Sequence, residues 1–125
     1  MRREIITTDR IAPSVGPFSA AVRAGDLLFL SGQIALAPAT GKLITGDIGA
    51  QTGQIFANIS AVLEAAGKSL DHVMKTTVYL ADMNDFAAMN TVYARYFQTP
   101  YPARTTIQAA ALPLGAAVEI EVVAR

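Results

Sequence analysis

Two stretches near the C-terminus alternate between polar and apolar side chains, and this alternation constrains the fold more than any other feature of the chain. The first covers residues 102–107 (PARTTI) and the second covers residues 118–123 (VEIEVV). A period of two is typical of a β-strand with one face on the core. If both strands lie in one sheet, we expect Arg104 and Thr106 to share the face opposite the core with Glu119.

The rest of the chain also divides into recognisable elements. The pattern predicts a short strand near residues 4–7, a hairpin of strands 20–24 and 27–33 around Gly25-Asp26, a helix over 48–66, a strand over 73–80 and a helix over 84–98. Asp47 is a candidate N-cap of the first helix, and Gly67 follows its end. In the strand over 73–80, Met74 is expected on the core face. The order α-β-α-β predicts a parallel crossover.

One domain, residues 1–125, accounts for this length. Two amphipathic helices can cover one face of a mixed sheet, which predicts an α+β fold, and nothing else in the chain is long enough to cover the second face. Charged residues make up only 16% of the chain, compared with roughly 25% in typical domains. A surface this poor in charge predicts that the second face meets another copy of the chain, with ligand clefts between subunits.

Composition also excludes several classes of function. Lys plus Arg and Asp plus Glu balance at ten each, so no basic field favours nucleic acid. The absence of cysteine removes disulfides and thiolate chemistry, and His72 is the only histidine, so we expect it to be a surface turn residue and expect no metal site. The N-terminus leads into no apolar segment and no run could span a bilayer, so no membrane association and a cytoplasmic location are expected.

A few polar residues remain as candidates for chemistry. Arg104 is a planar fork suited to a carboxylate ligand, but alternation alone favours a structural ion pair with Glu119 or Glu121. Gly32, beside Ser31, predicts either a close approach of the backbone to a ligand or a β-bulge. Asn90, next to an apolar helix stripe, predicts either a buried hydrogen bond or simple solvation.

Several short motifs, taken together and in order, resemble one family along essentially the whole chain. They are Val15-Gly16-Pro17-Phe18, Ser31-Gly32-Gln33-Ile34, Ala65-Ala66-Gly67, Lys75-Thr76-Thr77-Val78-Tyr79-Leu80, Asp82-Met83-Asn84-Asp85-Phe86, Asn90 with Tyr93, Pro102-Ala103-Arg104-Thr105, Leu112-Pro113 and Val118-Glu119-Ile120-Glu121. The chain is similar to the RidA family of small imine deaminases, also called YjgF or L-PSP endoribonuclease-like.

The resemblance implies a chorismate-mutase-like (YjgF-like) α+β fold and a homotrimer with three clefts at its subunit interfaces. It further implies hydrolysis of reactive enamines and imines, such as 2-aminoacrylate and 2-iminobutyrate, to 2-keto acids and ammonia without a cofactor. By similarity, Arg104 would bind the substrate carboxylate and Glu119 would position or activate water. The residues that would shape the cleft are Phe18, Ser31, Gly32, Asn90 and Thr106.

Two departures from the family pattern bear on the activity. Phe18 stands where the best-known deaminases carry a tyrosine, which removes one hydrogen-bond donor, and Thr106 stands where many carry a cysteine. A non-catalytic, trimeric metabolite-binding or regulatory module is therefore an alternative. An endoribonuclease or translation inhibitor is a third, which the zero net charge disfavours.

Overall fold

A six-stranded mixed sheet with two helices makes up the structure, a computed structural model that describes residues 2–125. The elements are β1 Glu4–Ile6, β2 Ala21–Ala24, β3 Leu27–Gln33, α1 Ile48–Ala65, β4 Val73–Leu80, α2 Phe86–Tyr93, β5 Ala103–Gln108 and β6 Val118–Ala124. The strand order is β1-β2-β3-β6-β4-β5, and only β4 and β5 run parallel. The predicted α+β class and parallel crossover are confirmed.

The N-terminal hairpin forms as predicted. Ala24 pairs with Leu27, which leaves Gly25 and Asp26 as a two-residue turn. Gly25 has a φ of 60°, a left-handed conformation that glycine adopts without the penalty other residues carry.

Helix α1 starts and ends at the predicted signals. The Asp47 side chain accepts a hydrogen bond from the Ala50 N–H at 2.9 Å, which satisfies one of the free donors of the first turn. At the other end, Gly67 (φ 76°) lets the Lys68 N–H reach the Leu63 carbonyl at 2.8 Å, a Schellman closure. The apolar side of α1 packs on the core, where Ile55, Phe56 and Ile59 are fully buried.

Helix α2 is shorter than the sequence predicts. The pattern predicts a helix over 84–98, but a 3₁₀ turn occupies Met83–Asp85 and the α-helix ends at Tyr93. A hydrogen bond between residues three apart, as in a 3₁₀ turn, follows the C-terminus of the helix, where the Tyr96 N–H donates to the Tyr93 carbonyl. Leaving the helix here places the Tyr96 ring against Phe56, with ring centroids 4.6 Å apart. Tertiary packing therefore ends the helix before Pro100 does.

The predicted core position of Met74 is wrong. Val73 pairs with Ala124 and Lys75 with Val123, so one extra residue interrupts the pairing of β4 with β6. This bulge turns Val73 into the core at 5% exposure and leaves Met74 55% exposed.

The two faces of the sheet have different surroundings. The helices and the core lie on one face, where Val118, Ile120 and Val122 of β6 are buried. On the other face, Ile5 and Phe29 are 52% and 42% exposed. No helix within residues 2–125 is both long enough and apolar enough to cross a membrane.

Candidate functional site

The strand register places Arg104 on the helix-covered face of the sheet. Arg104 pairs with Thr76 of β4, and Thr76 pairs in turn with Val122 of β6. Paired residues on neighbouring strands point to the same face, and both Thr76 and Val122 are buried beneath the helices. Thr106, two residues along β5, lies on the same face as Arg104.

Glu119 lies on the opposite face. It follows fully buried Val118 and pairs with Tyr79 of β4, whose side chain points away from the helices. The prediction that Arg104 and Thr106 share a face with Glu119 is therefore wrong. β5 does not pair with β6; it pairs in parallel with β4, and that register fixes which of its two faces points toward the helices.

Two aromatic rings of α2 surround the Arg104 guanidinium. The guanidinium carbon lies 4.7 Å from the ring centroid of Tyr93 and 5.5 Å from that of Phe86. Within residues 2–125, no carboxylate forms an ion pair with Arg104. The structural ion pair with Glu119 or Glu121 that alternation favours is therefore not formed within the chain.

Unpaired polar atoms lie on this same side of the sheet. Asn90 belongs to α2, between Phe86 and Tyr93 in the sequence, and its Oδ1 is buried without a hydrogen-bond partner among residues 2–125. The same holds for the Thr106 hydroxyl. A buried polar atom without a partner costs about 1–3 kcal/mol, and such atoms are uncommon in native structures.

The environment of Glu119 favours its neutral form more than water would. Burial raises the pKa of the Glu119 carboxyl, and the negative charge of Glu121 raises it further. Glu121 is itself held by the Tyr79 hydroxyl, which donates to Oε1 at 2.5 Å. That hydrogen bond raises the pKa of the Tyr79 phenol, so the phenol stays a donor. The Tyr79–Glu121 contact was not foreseen from the sequence.

Gly32 provides the space that the Glu119 carboxylate occupies. The pairing of β3 with β6 shifts by one residue between Leu30 and Gln33, so the predicted bulge is present. A Cβ at Gly32 would overlap with Oε2 of Glu119 and would lie 3.0 Å from its Cδ. The group that approaches this glycine closely is thus a side chain of the same protein.

Ser31 ties β3 to the segment that carries Phe18. Its hydroxyl donates to the Ser19 carbonyl at 2.6 Å, and its N–H donates to the Ala20 carbonyl at 2.9 Å. The Phe18 side chain, just before this anchor, is 52% exposed. The Ser31 hydroxyl can still accept a hydrogen bond, although its proton is engaged.

The candidate residues therefore form two separate groups. Arg104, Asn90 and Thr106 lie between α2 and the edge of the sheet, whereas Glu119 and Gly32 belong to the uncovered face. Sequence reasoning missed Phe86 and Tyr93 as neighbours of Arg104, because their helical spacing indicates a core stripe. The sequence does contain one indication that Phe86 and Tyr93 belong to the site. Residues 86, 90 and 93 share one face of a helix, so both rings lie on the same face as the polar Asn90.

Other features of the described chain lie apart from these groups. The Nδ1 of His72 accepts a hydrogen bond from the Ser69 N–H at 3.1 Å, in the short turn before β4, as expected of a turn histidine. Within residues 2–125, no three His, Asp or Glu side chains cluster closely enough to hold a metal ion. Two surface hollows, one beside Arg23 and one beside Ser60, include neither Arg104 nor Glu119.

Comparison with known proteins agrees with this architecture. Residues 7–125 match the family described as Endoribonuclease L-PSP, and the chain belongs to that family. It is 50% identical to a RutC family protein of Pyrococcus horikoshii, covering 98% of this chain and 97% of that protein. It is 45% identical to the 2-iminobutanoate/2-iminopropanoate deaminase of Capra hircus, over 98% and 89% of the two chains. The crystal structure of RidA from a Psychrobacter species superposes with a TM-score of 0.93 at 45% identity, covering 98% of each chain.

Proposed function

We propose that this protein hydrolyses reactive 2-imino acids and their enamine tautomers to 2-keto acids and ammonia, at sites shared between two subunits of a homotrimer. The observation that carries the proposal is the placement of an unpaired guanidinium and a carboxylate of raised pKa on opposite faces of one sheet. The deaminase name of relatives at 43–45% identity supports the substrate class.

Arg104 binds the substrate carboxylate. A guanidinium donates two parallel hydrogen bonds to a carboxylate, and no carboxylate of residues 2–125 competes for it. Asn90 and Thr106 would shape the same end of the cleft, since each has a buried polar atom without a partner among residues 2–125 on the side of the sheet that carries Arg104. Phe18, Ser31 and Gly32 belong to the Glu119 side of the neighbouring subunit.

Glu119 acts on the attacking water. Ionised Glu119 accepts a proton as the water oxygen bonds to C2 of the imine, and the C=N electron pair moves to nitrogen. The proton on Glu119 then passes to the nitrogen and makes a neutral amino group. The hydroxyl proton also moves to this nitrogen as the C–N bond breaks, so ammonia leaves and the C=O of the 2-keto acid forms. An enamine first takes a proton at C3 and loses one from nitrogen, which makes it the imine. Each step conserves electrons, so the reaction requires no redox cofactor.

The uncovered sheet face supports the trimer. It carries exposed Ile5 and Phe29 in a chain with only 16% charged residues, which favours contact with another copy. The proposal requires that a second copy seated there bring its own Arg104 to the edge of the face that holds Glu119. The cytoplasm is the location we propose, since a chain without cysteine is suited to a reducing compartment.

A complementation experiment tests both the reaction and the shared site. Arg104→Ala and Glu119→Gln are each expected to reduce the accelerated decay of freshly generated 2-iminobutanoate to a small residual rate. Co-expressed in equal amounts, the two inactive chains are expected to recover about a quarter of wild-type activity, because a site at a symmetric interface draws Arg104 from one chain and Glu119 from another.

Several outcomes would contradict the proposal. Full activity of Arg104→Ala alone would remove the carboxylate-binding role. Mixed oligomers that contain both chains, verified by mass spectrometry, but have no activity would remove the shared site. Tight binding of a 2-keto acid by the wild-type protein without faster imine decay would favour a metabolite sensor. This alternative has to be tested because Phe18 lacks the hydroxyl of a tyrosine. Cleavage of RNA that Arg104→Ala abolishes would favour the ribonuclease.

A further inference from the structure

Phe86 and Tyr93 lie two helical turns apart on α2, and the Arg104 guanidinium carbon lies over the rings of both. Their centroids are 5.5 Å and 4.7 Å from the Arg104 guanidinium carbon, within the range of about 6 Å for cation–π attraction. A guanidinium is weakly hydrated above and below its plane, where it stacks on rings, and strongly hydrogen-bonding at its edge. A guanidinium held against ring faces keeps N–H donors for a ligand, and no carboxylate of residues 2–125 pairs with those of Arg104.

Tyr93 is the rigid member of the pair. Its hydroxyl shares a 2.8 Å hydrogen bond with the fully buried Thr76, the residue paired with Arg104 on the next strand. Its ring contacts Phe56 edge-on, with centroids 5.5 Å apart, and Phe97 at 4.9 Å. Burial raises the pKa of the Tyr93 phenol, with the Thr76 hydrogen bond and the charge of Arg104 acting in the opposite direction. The phenol therefore stays neutral.

Phe86 is the accessible member of the pair. Its side chain is 36% exposed, whereas Tyr93 is only 6% exposed. It is not part of the buried hydrophobic core, to which Tyr93 belongs. Substitution at Phe86 can thus change the surroundings of Arg104 without opening a cavity in the core.

We propose that Phe86 and Tyr93 are positioning residues that hold the Arg104 guanidinium against their ring faces, so that its N–H donors are presented to the substrate carboxylate. The inference rests on the proposed function, because it assigns a role to these rings only through Arg104. Without the rings, a free arginine side chain would have to be ordered on binding, which weakens affinity for the carboxylate.

Isothermal titration with 2-oxobutanoate, a stable carboxylate probe, tests the proposal. Phe86→Leu removes the ring but keeps an apolar side chain that favours a helix. This variant is expected to bind 2-oxobutanoate about fivefold more weakly, which is the loss expected for one cation–π contact at a partly exposed site. Phe86→Tyr keeps a ring face and is expected to bind within twofold of wild type. Met83→Leu is the matched control, because Met83 is 39% exposed in the preceding turn and is not over the guanidinium.

A spectroscopic readout separates positioning from general packing. In the NMR spectrum, the Nε–Hε signal of Arg104 can be assigned by its loss in Arg104→Ala. This signal should shift in Phe86→Leu, because the ring current of Phe86 is removed. In Phe86→Tyr it should return toward its wild-type position. The inference is overturned if Phe86→Leu binds the probe within twofold of wild type, or if Phe86→Tyr is as weak as Phe86→Leu. Undiminished binding by Arg104→Ala would instead refute the proposed function itself.

Discussion

Gly32→Ala is expected to abolish most of the activity while leaving the fold intact, because the new methyl group would occupy the place of the Glu119 carboxylate. The added Cβ would overlap with Oε2 and lie 3.0 Å from Cδ and 3.1 Å from Cγ, whereas ordinary contacts begin at 3.4 Å. Cδ must therefore move by about 0.4 Å and the oxygen further, for a displacement of the carboxylate of about 1 Å, which can cost roughly 10²-fold in rate.

That loss corresponds to about 2.7 kcal/mol of transition-state stabilisation. Stability should change little, because the displaced atoms are the end of a flexible side chain and Gly32 is not among the glycines with positive φ. The assay is kcat/KM for 2-iminobutanoate released in situ by a threonine dehydratase, with the melting temperature measured in parallel. Gly53→Ala is the matched control. Gly53 lies within α1, and a Cβ there would be 3.4 Å from the Tyr96 hydroxyl, which is an ordinary contact distance. Full activity is therefore expected.

A double mutant shows whether the effect acts through Glu119. If Gly32→Ala displaces that carboxylate and does nothing else, Gly32→Ala combined with Glu119→Gln should be no slower than Glu119→Gln alone. Two losses that multiply would show that Gly32 acts by another route. Wild-type activity of Gly32→Ala would refute the reasoning altogether.

Two further predictions concern electrostatics and packing. Glu121→Gln removes a negative charge that raises the pKa of Glu119. On the acidic limb of the kcat/KM profile, Glu119 takes up a proton and stops acting as a base, so this limb should move to lower pH in the variant. An unchanged limb would show that the pKa of Glu119 does not determine it. Phe56→Ala removes a fully buried ring that contacts three other aromatic rings. Urea unfolding at fixed protein concentration should show that the free energy of unfolding falls by about 3–5 kcal/mol. A decrease below about 2 kcal/mol would contradict the described packing.

Elements with local signals were predictable from the sequence. The Gly25-Asp26 turn requires positive φ at its glycine, and Asp47 and Gly67 bound α1 through hydrogen bonds to neighbours within a few residues. Each signal acts over one turn of chain, so no knowledge of the tertiary structure is needed to read it. The end of α2 at Tyr93 is different, because the contact of Tyr96 with Phe56 comes from another helix.

The faces of the strands were predictable only in part. Alternation separates the side chains of a strand into two sets, but it does not say which set faces the core when both contain polar residues. On β5, one set is Arg104 and Thr106 and the other includes Ile107, which looks like the core residue and is in fact 46% exposed. The parallel register with β4 decides the matter, and register is a tertiary property. The bulge at Met74 shows the same limit within a single strand.

The placement of Arg104 and Glu119 has a consequence for how such a site can be built. β4 lies between the strands that carry them, so the two backbones are about 10 Å apart across the sheet, and the two side chains leave in opposite directions. A substrate with a carboxylate only one bond from its imine carbon cannot contact both groups of one chain. If both residues act on the same molecule, one of them must come from another subunit. In this fold, association of subunits would then be a condition of catalysis, because each chain supplies half of two different sites.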